Sequence, residues 1–365
     1  MKFSIIVPVY NRPAEAGELL ESLSRQSFTD FEVVMVDDGS TETCEEVCRQ
    51  YASKMPVRYF FKPNSGPGAT RNYAAEKSQG EYLIILDSDV VLPETYLQVT
   101  AEELSHKDSD AFGGPDSAHE SFTDMQKAIS YSMTSFFTTG GIRGGKKKLD
   151  KFYPRSFNLG CKAEVFKALG GFSDMRFGED IDFSIRVFKN NYSCRLFPES
   201  WVWHKRRTDL KKFFKQVYNS GIARINLYKK YPESLKVVHL LPMFFTLGTL
   251  ACIIASLLCL VIAFYIYSVY IMRDNSGMLY EMMGTYGVMR YLGLAAIAIS
   301  PLVLYSLLLC ADSSVRNKSL KIGIYSIAAA FTQLVGYGLG FIHAWWGRCV
   351  LGKGELEAFK NTFYK

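Results

Sequence analysis

The sequence predicts an α/β domain, a mostly parallel sheet with helices on both faces, followed by an all-α region of long apolar helices. Three observations predict it. Through Asp89, short apolar runs alternate with segments of helical period, the βαβαβαβ pattern of a parallel sheet. No charged residue occurs between Lys236 and Arg273, between Arg290 and Asp312, or between Lys321 and Arg348. Each of these runs reaches the roughly 20 apolar residues that cross a bilayer as a helix. Finally, a mean hydropathy of +0.02 with 21% charged residues suits a chain made of two unlike parts. The 14% aromatic content excludes low-complexity disorder, and 8 Cys in 365 residues are too dilute for a secreted disulfide scaffold.

The elements follow in order. Phe3–Val9 reads as a buried strand; it is too short for the apolar core of a signal peptide and runs into Tyr10-Asn11-Arg12. Ala14–Gln26 is a helix with Ala16, Leu19, Leu20 and Leu23 on one face, and Phe31–Val36 is a strand ending in Asp37-Asp38-Gly39-Ser40. Thr43–Lys54 is a helix whose Cys44 and Cys48 read as core thiols, and Val57–Phe61 is a strand. After the turn at Gly66-Pro67, Gly68–Ser78 is a helix, and Tyr82–Leu86 is a strand ending in Asp87-Ser88-Asp89. Further on, Ile181–Phe188 reads as a helix and Trp201-Val202-Trp203 as a strand. Residues 1–236 form the polar domain. Residues 237–347 hold three spans, near 242–270, 291–311 and 322–346, and 348–365 are a short tail.

Charge orients the chain. Ten cations (Lys205, Arg206, Arg207, Lys211, Lys212, Lys215, Arg224, Lys229, Lys230, Lys236) face only Asp209 and Glu233 just before the first apolar run. Such a stretch marks the cytoplasmic side and favours anionic membrane lipid rather than nucleic acid. The loop with Arg316, Lys318 and Lys321 then lies inside as well. Three spans place the tail outside, against its Arg348, Lys353, Lys360 and Lys365. A re-entrant last run, rich in Gly336, Gly338 and Gly340, or a first run with more than one membrane element, would resolve that conflict.

The chemistry lies at the strand ends, because ligands of such sheets bind beyond the carboxyl ends of the strands. Asp87-x-Asp89 can share a divalent cation, Mg²⁺ or Mn²⁺, that neutralises a diphosphate; a turn or helix cap is the plainer reading of the same residues. Gly66-Pro67-Gly68-Ala69-Thr70-Arg71-Asn72 is a turn into a helix whose N-terminus and Arg71 suit an anion. Glu179-Asp180 before a helix is either a capping turn or a general base beside a second acid, each raising the pKa of the other.

Taken together, Ile6-Val7-Pro8-Val9-Tyr10-Asn11, Val36-Asp37-Asp38-Gly39-Ser40-Thr41, Gly68-Ala69-Thr70-Arg71-Asn72, Asp87-Ser88-Asp89, Asn158-Leu159-Gly160-Cys161, Gly170-Gly171-Phe172, Gly178-Glu179-Asp180-Ile181-Asp182 and His204 resemble a family 2 glycosyltransferase of the GT-A fold over about residues 1–230. The resemblance implies inverting transfer of a sugar from a nucleotide sugar. It implies that Pro8 and Tyr10 line the base pocket, that Asp38 hydrogen-bonds the base, and that Asp37 supports the loop or reaches the ribose. It places Arg71 near base and diphosphate, Asp87 at the ribose or in support of the site, Asp89 on the metal and Asp180 as general base within the Glu179-Asp180 pair. Asp182 is expected to point away or to cap its helix. His204 either completes the metal site, contacts the diphosphate, or is a structural histidine. Gly171 and Phe172 resemble the turn that shapes the acceptor side, with a helix C-cap as the alternative. Arg143, in the glycine-rich stretch before Lys146-Lys147-Lys148, belongs either to a loop closing on a phosphate or to a plain surface loop.

The expected protein is a multi-pass enzyme of the cell envelope, in a bacterial inner membrane with its catalytic domain cytoplasmic. It transfers a sugar, from a donor leaning to UDP, to a lipid-linked or membrane-proximal glycan in polysaccharide biosynthesis. Gln216-Val217-Tyr218-Asn219-Ser220 lacks the Gln-x-x-Arg-Trp of processive synthases, which favours single transfers. A polyprenyl-phosphate glycosyltransferase is the near alternative. A non-catalytic scaffold with a retained nucleotide pocket is disfavoured by the intact Asp38, Asp87, Asp89 and Asp180. A transporter is disfavoured because the apolar runs carry no ionisable pair.

Overall fold

The computed structural model describes residues 1–117, 122–139, 152–175, 177–270 and 278–355, without the side chains of 278–281. Its first half alternates as the sequence predicts: β1 (Phe3–Val9), α1 (Pro13–Ser24), β2 (Phe31–Asp37), α2 (Glu45–Tyr51), β3 (Val57–Phe61), α3 (Pro67–Lys77) and β4 (Tyr82–Ile85). Strands β5 (Val90–Val91), β6 (Ala111–Gly113), β7 (Asp116–Ser117), β8 (Leu159–Lys162), β9 (Cys194–Leu196) and β10 (Val202–His204) follow. Among them lie α4 (Tyr96–His106), α5 (Asp124–Thr134), α6 (Phe136–Thr139), α7 (Ala163–Ala168) and α8 (Glu179–Lys189). Helix α2 is shorter than expected at both ends. The Cys44 amide points to the Asp37 carboxylate at 3.4 Å, and Ala52–Lys54 close a turn on Tyr51.

Seven strands form one sheet in the order β3-β2-β1-β4-β8-β6-β9, with β3, β2, β1 and β4 all parallel. The sheet is mixed rather than wholly parallel, since β8 runs antiparallel to both β4 and β6. Both faces are buried, as alternation along β1 and β2 requires. Phe3, Ile5, Val7, Val33 and Met35 join Ala16, Leu19, Leu20, Leu23, Cys44 and Cys48 on one side. Ile6, Val34 and Val36 join Ala74, Phe166, Phe172 and Phe183 on the other. Each such side chain contributes roughly 1.5–3 kcal/mol by leaving water. The chain passes from β3 across β1 to reach β4, so the strand order reverses between β1 and β4, the place where sheets of this kind bind ligands.

Four long helices close the chain: α9 (Leu210–Lys230), α10 (Leu241–Tyr270), α11 (Met278–Asn317) and α12 (Leu320–Trp345). Contacts divide the molecule into two units, one including Met1–Thr208 and Asn226–Pro232, the other Asp209–Ile225 and Glu233–Lys353. Among the described residues, three helices are long and apolar enough to cross a membrane. At 1.5 Å per residue α10 alone extends ~45 Å, against a hydrocarbon core of ~30 Å. Pro301 inside α11 cannot donate to the Ile297 carbonyl; the Ser300 hydroxyl does so instead, at 2.9 Å.

The glycines of the last run do not break it. Helix α12 is continuous, and Gly336, Gly338 and Gly340 are contact points within their unit. A Cβ on Gly340 would lie 2.0 Å from the Tyr218 carbonyl, and one on Gly338 would lie 2.1 Å from Thr246 Oγ1. Tyr218 and His343 seal the first contact with a 2.6 Å hydrogen bond. Gly340→Val therefore forces α9 and α12 apart, at a cost of about 1–3 kcal/mol. Thermal unfolding in detergent should reveal the drop, whereas Gly248→Val, at a site with open space around it, should be neutral.

Candidate active site

The carboxyl ends of β1, β2 and β4 converge on one region. After β2, Asp37 is fully buried and accepts from the Ser40 amide (2.8 Å) and the Tyr59 hydroxyl (3.3 Å). Asp38, 2% exposed, accepts from Lys62 Nζ (2.5 Å) and from the amides of Ser65 and Gly66 (2.9 Å each). Both acids thus shape the loops beside Pro8 and Tyr10, and Asp38 keeps about one of its four acceptor positions for a further donor. Asn11 locks the neighbouring loop, its side chain accepting from the amides of Thr41 and Glu42.

Arg71 is the hub. Helix α3 starts at Pro67 after Gly66, whose φ of +90° turns the chain into it. One turn later Arg71, 4% exposed, donates to Glu179 Oε1 at 2.8 Å and to Asp87 Oδ1 at 2.7 Å. Its guanidinium lies 5.6 Å from the Phe172 ring centre. A single cation thereby joins the acid after β4 to the acid that opens α8. Phe172 in turn is set by Gly171, whose φ is +66° and whose added Cβ would lie 2.5 Å from Asn72 Oδ1. Asn72 accepts from the Phe172 amide at 2.8 Å and donates to the Phe172 carbonyl. The Gly170-Gly171 turn is also a helix cap, the Gly171 amide bonding the Phe166 carbonyl. Both readings of it describe the same residues.

Asp87, Asp89 and His204 each offer one ligand atom, and these atoms lie within 4.8 Å of one another. Asp89 Oδ1 is buried and makes no hydrogen bond among the described residues, although His204 Nε2 stands 3.3 Å away. Two hard carboxylates, an imidazole and an unsatisfied buried oxygen fit a divalent cation of the Mg²⁺ or Mn²⁺ kind. Arg12 Nη1 sits 2.6 Å from the other Asp89 oxygen. Burial works against a charge on Asp89, but His204, Arg12 and Arg207 hold its pKa below the carboxylate range.

Glu179 and Asp180 open α8 behind Gly178, which is the N-cap in a left-handed conformation; neither acid is the cap. Asp180 Oδ2 faces Arg155 Nη1 at 3.6 Å, and Oδ1 accepts from the Ile181 amide at 2.8 Å. Burial pushes Glu179 up to about 7, with the Arg71 charge opposing and the Asp180 charge adding. The dominant cause is thus desolvation rather than repulsion between the two acids. A pKa raised from 4.5 to about 7 means that Glu179 contributes stability below pH 4.5 and loses it as pH rises through about 7. Glu179→Gln keeps the neutral shape, so its Tm relative to wild type should climb across that window; a pH-independent difference would contradict the burial argument.

Asp182 does not cap the helix, and its carboxylate turns to a set of partners separate from Arg71 and the Glu179-Asp180 pair. It is fully buried and accepts from Ser173, Arg186, Lys230 and Tyr231. Three of the ten basic residues of the 205–236 stretch are engaged within the domain. Lys230 pairs with Asp182, Lys205 with Glu18 (2.5 Å), and the buried Arg206 with Asp116 (2.5 Å). Arg143 lies outside the described residues. Arg12, Lys62, Asp116 and Arg155 were not singled out from sequence. Only Arg12 left a signal, as a cation three residues past a buried strand.

Residues 4–170 match the model of Glycosyl transferase family 2. A protein of Rickettsia felis named an uncharacterized glycosyltransferase is 31% identical over 137 residues, 38% of this chain and 22% of that one. The poly(ribitol-phosphate) beta-N-acetylglucosaminyltransferase TarS of Staphylococcus aureus is 40% identical over 114 residues, 30% of this chain and 20% of that one. The chain thus spans about a fifth of the length of these two relatives. The crystal structure of S. aureus TarS 1-349 in complex with UDP-GlcNAc aligns with a TM-score of 0.47 at 19% identity, over 97% of this chain and 93% of that one. The mannosyltransferase PcManGT from Pyrobaculum calidifontis in complex with GDP-Man and Mn²⁺ aligns at 0.49 with 17% identity, over 91% and 87%. The part of the chain that matches glycosyl transferase family 2, residues 4–170, is the part that carries the acidic strand ends and Arg71.

Proposed function

We propose that the chain is a membrane-anchored, metal-dependent inverting glycosyltransferase. It moves one sugar at a time from a nucleotide sugar, UDP-linked by preference, to a lipid-linked or membrane-proximal saccharide. The observation that carries this reading is the Arg71 bridge. It holds the cation site of Asp87, Asp89 and His204 and the Glu179-Asp180 pair in one crevice. Donor and acceptor chemistry need those two features side by side.

Pro8 and Tyr10 flank the base, with Asp38 and Asp37 shaping the loops around it and Asp87 reaching the ribose. Asp89 and His204 would hold Mg²⁺ or Mn²⁺, which when bound would neutralise charge on the diphosphate. The acceptor hydroxyl attacks the anomeric carbon on the face opposite the diphosphate. Its oxygen–carbon bond forms as the carbon–oxygen bond to the nucleoside diphosphate breaks, and its proton passes to Asp180. Arg155, 3.6 Å from Asp180, keeps it aimed, while Gly171, Phe172 and Arg143 belong to the acceptor side. The three long apolar helices cross a bacterial inner membrane with the catalytic domain on the cytoplasmic side, in reach of a lipid-borne acceptor.

The test is a screen of nucleotide sugars, each with Mn²⁺ or Mg²⁺, for thermal stabilisation and metal-dependent hydrolysis. If none stabilises the purified protein with either ion, the reading fails. With a donor in hand, bare polyprenyl phosphate and a lipid-linked sugar are offered in parallel. Turnover of the first alone would move the function to the polyprenyl-phosphate class.

A further inference from the structure

The small second sheet, in the order β5-β10-β7, exists at the cation site and does little else. Strand β5 begins at the residue after Asp89 and runs antiparallel to β10, with His204 opposite Val90. The Lys205 amide closes the end of this pair on the Asp89 carbonyl at 3.0 Å. On the other side β7 runs parallel to β10, with Asp116 opposite Val202. Three strands of two or three residues thus place Asp89 and Asp116 on either side of one imidazole.

The imidazole is held between them. Nε2 faces Asp89 Oδ1 at 3.3 Å, and Nδ1 faces Asp116 Oδ2 at 3.8 Å. Nδ1 is buried and makes no hydrogen bond among the described residues. Phe157 stacks on the ring, 4.7 Å between centres and 28° between planes, which leaves rotation in that plane as the freedom to be removed. Asp116 is itself anchored: the buried Arg206 reaches its Oδ2 at 2.5 Å. The approach of this segment depends on Gly114, where a Cβ would lie 1.7 Å from the Ser200 carbonyl. Asn158 bonds that same carbonyl at 2.8 Å and accepts from Tyr96 at 2.6 Å, so the frame is rigid.

We propose that Asp116, fixed by Arg206, is the positioning residue that orients His204 toward a divalent cation. An imidazole that binds a metal through Nε2 carries its hydrogen on Nδ1, and that hydrogen needs an acceptor that fixes ring and tautomer. Asp116 is the carboxylate on that side. The inference rests on the metal-dependent reading above and assigns to it two residues, Asp116 and Arg206, that act through His204.

The test uses the full chain in detergent and reads Mn²⁺ affinity, in the presence of UDP, from the loss of the free-ion electron paramagnetic resonance signal. Asp116→Asn should weaken Mn²⁺ 10–100-fold. Adding Asp116→Asn to His204→Ala should cost nothing further, because the ring that Asp116 aims is gone. Arg206→Lys, which keeps a cation on Asp116 without the guanidinium fork, should weaken Mn²⁺ roughly three- to tenfold and serves if Asp116→Asn does not fold. Wild-type binding with both Asp116→Asn and Arg206→Lys unchanged overturns this role and leaves the metal site standing. Equal losses from Asp116→Asn with and without His204 also overturn it, as a merely structural effect. No Mn²⁺ binding by wild type overturns both readings.

Discussion

Asp180→Asn is expected to lower the rate of sugar transfer by about 10²–10⁴-fold, the range a general base supplies. The substitution is nearly isosteric. Asn keeps the oxygen that accepts from the Ile181 amide at 2.8 Å, so the first turn of α8 should survive. What it loses is the second carboxylate oxygen, 3.6 Å from Arg155, and with it the capacity to take a proton. Donor binding should be retained, because the cation cluster of Asp87, Asp89 and His204 is untouched. Single-turnover transfer measured beside donor-induced thermal stabilisation separates the two effects. Full transfer by Asp180→Asn would remove Asp180 from the mechanism, and loss of stabilisation would recast it as part of the donor site.

Arg71→Met is expected to cost about 3–5 kcal/mol of stability, because it strands the buried Glu179 and the half-buried Asp87, which now share a cation. The guanidinium is 4% exposed and reaches Glu179 and Asp87 at 2.8 and 2.7 Å. Without it both acids lose their shared cation, and one of them, Glu179, is already raised to about 7 by burial. For a domain of this size the loss corresponds to a fall in Tm of roughly 10 °C. Combining Arg71→Met with Glu179→Gln and Asp87→Asn should recover much of it, since the stranded charges are then removed as well. An unchanged Tm in Arg71→Met would mean that the bridge contributes nothing net.

Much of this organisation is legible in the sequence for physical reasons. The strands β1, β2 and β4 are buried on both faces, so their apolar composition is unmistakable, and the half-buried edge strand β3 still reads as an apolar run. Asp37, Asp38, Asp87 and Asp89 stand where such strands end, which is where chain direction alone brings ligands. The apolar runs declare three long helices because a stretch without charge has few other homes. The pieces that stayed hidden are short or distant. Strands β5 and β7 have two residues each, too few to carry a pattern, and β10, legible from Trp201-Val202-Trp203, gave no sign of what it pairs with. Arg155 and Asp116 belong to no motif and gain meaning only from what lies opposite them.

The amino-acid sequence by itself determined the α/β frame, the acidic strand ends, the Glu179-Asp180 pair and the three apolar helices, because these depend on local periodicity and on charge. Tertiary structure alone decided which of those groups meet. Arg71 joins residues 16 and 108 positions away, and Asp89, Asp116 and His204 gather through strand pairings that no local signal encodes. It also turned Arg206 from one cation of a basic stretch into a buried partner of Asp116, because burial is a property of the whole fold. Contacts between segments far apart in the chain are selected by packing and desolvation acting together, and a linear pattern carries neither.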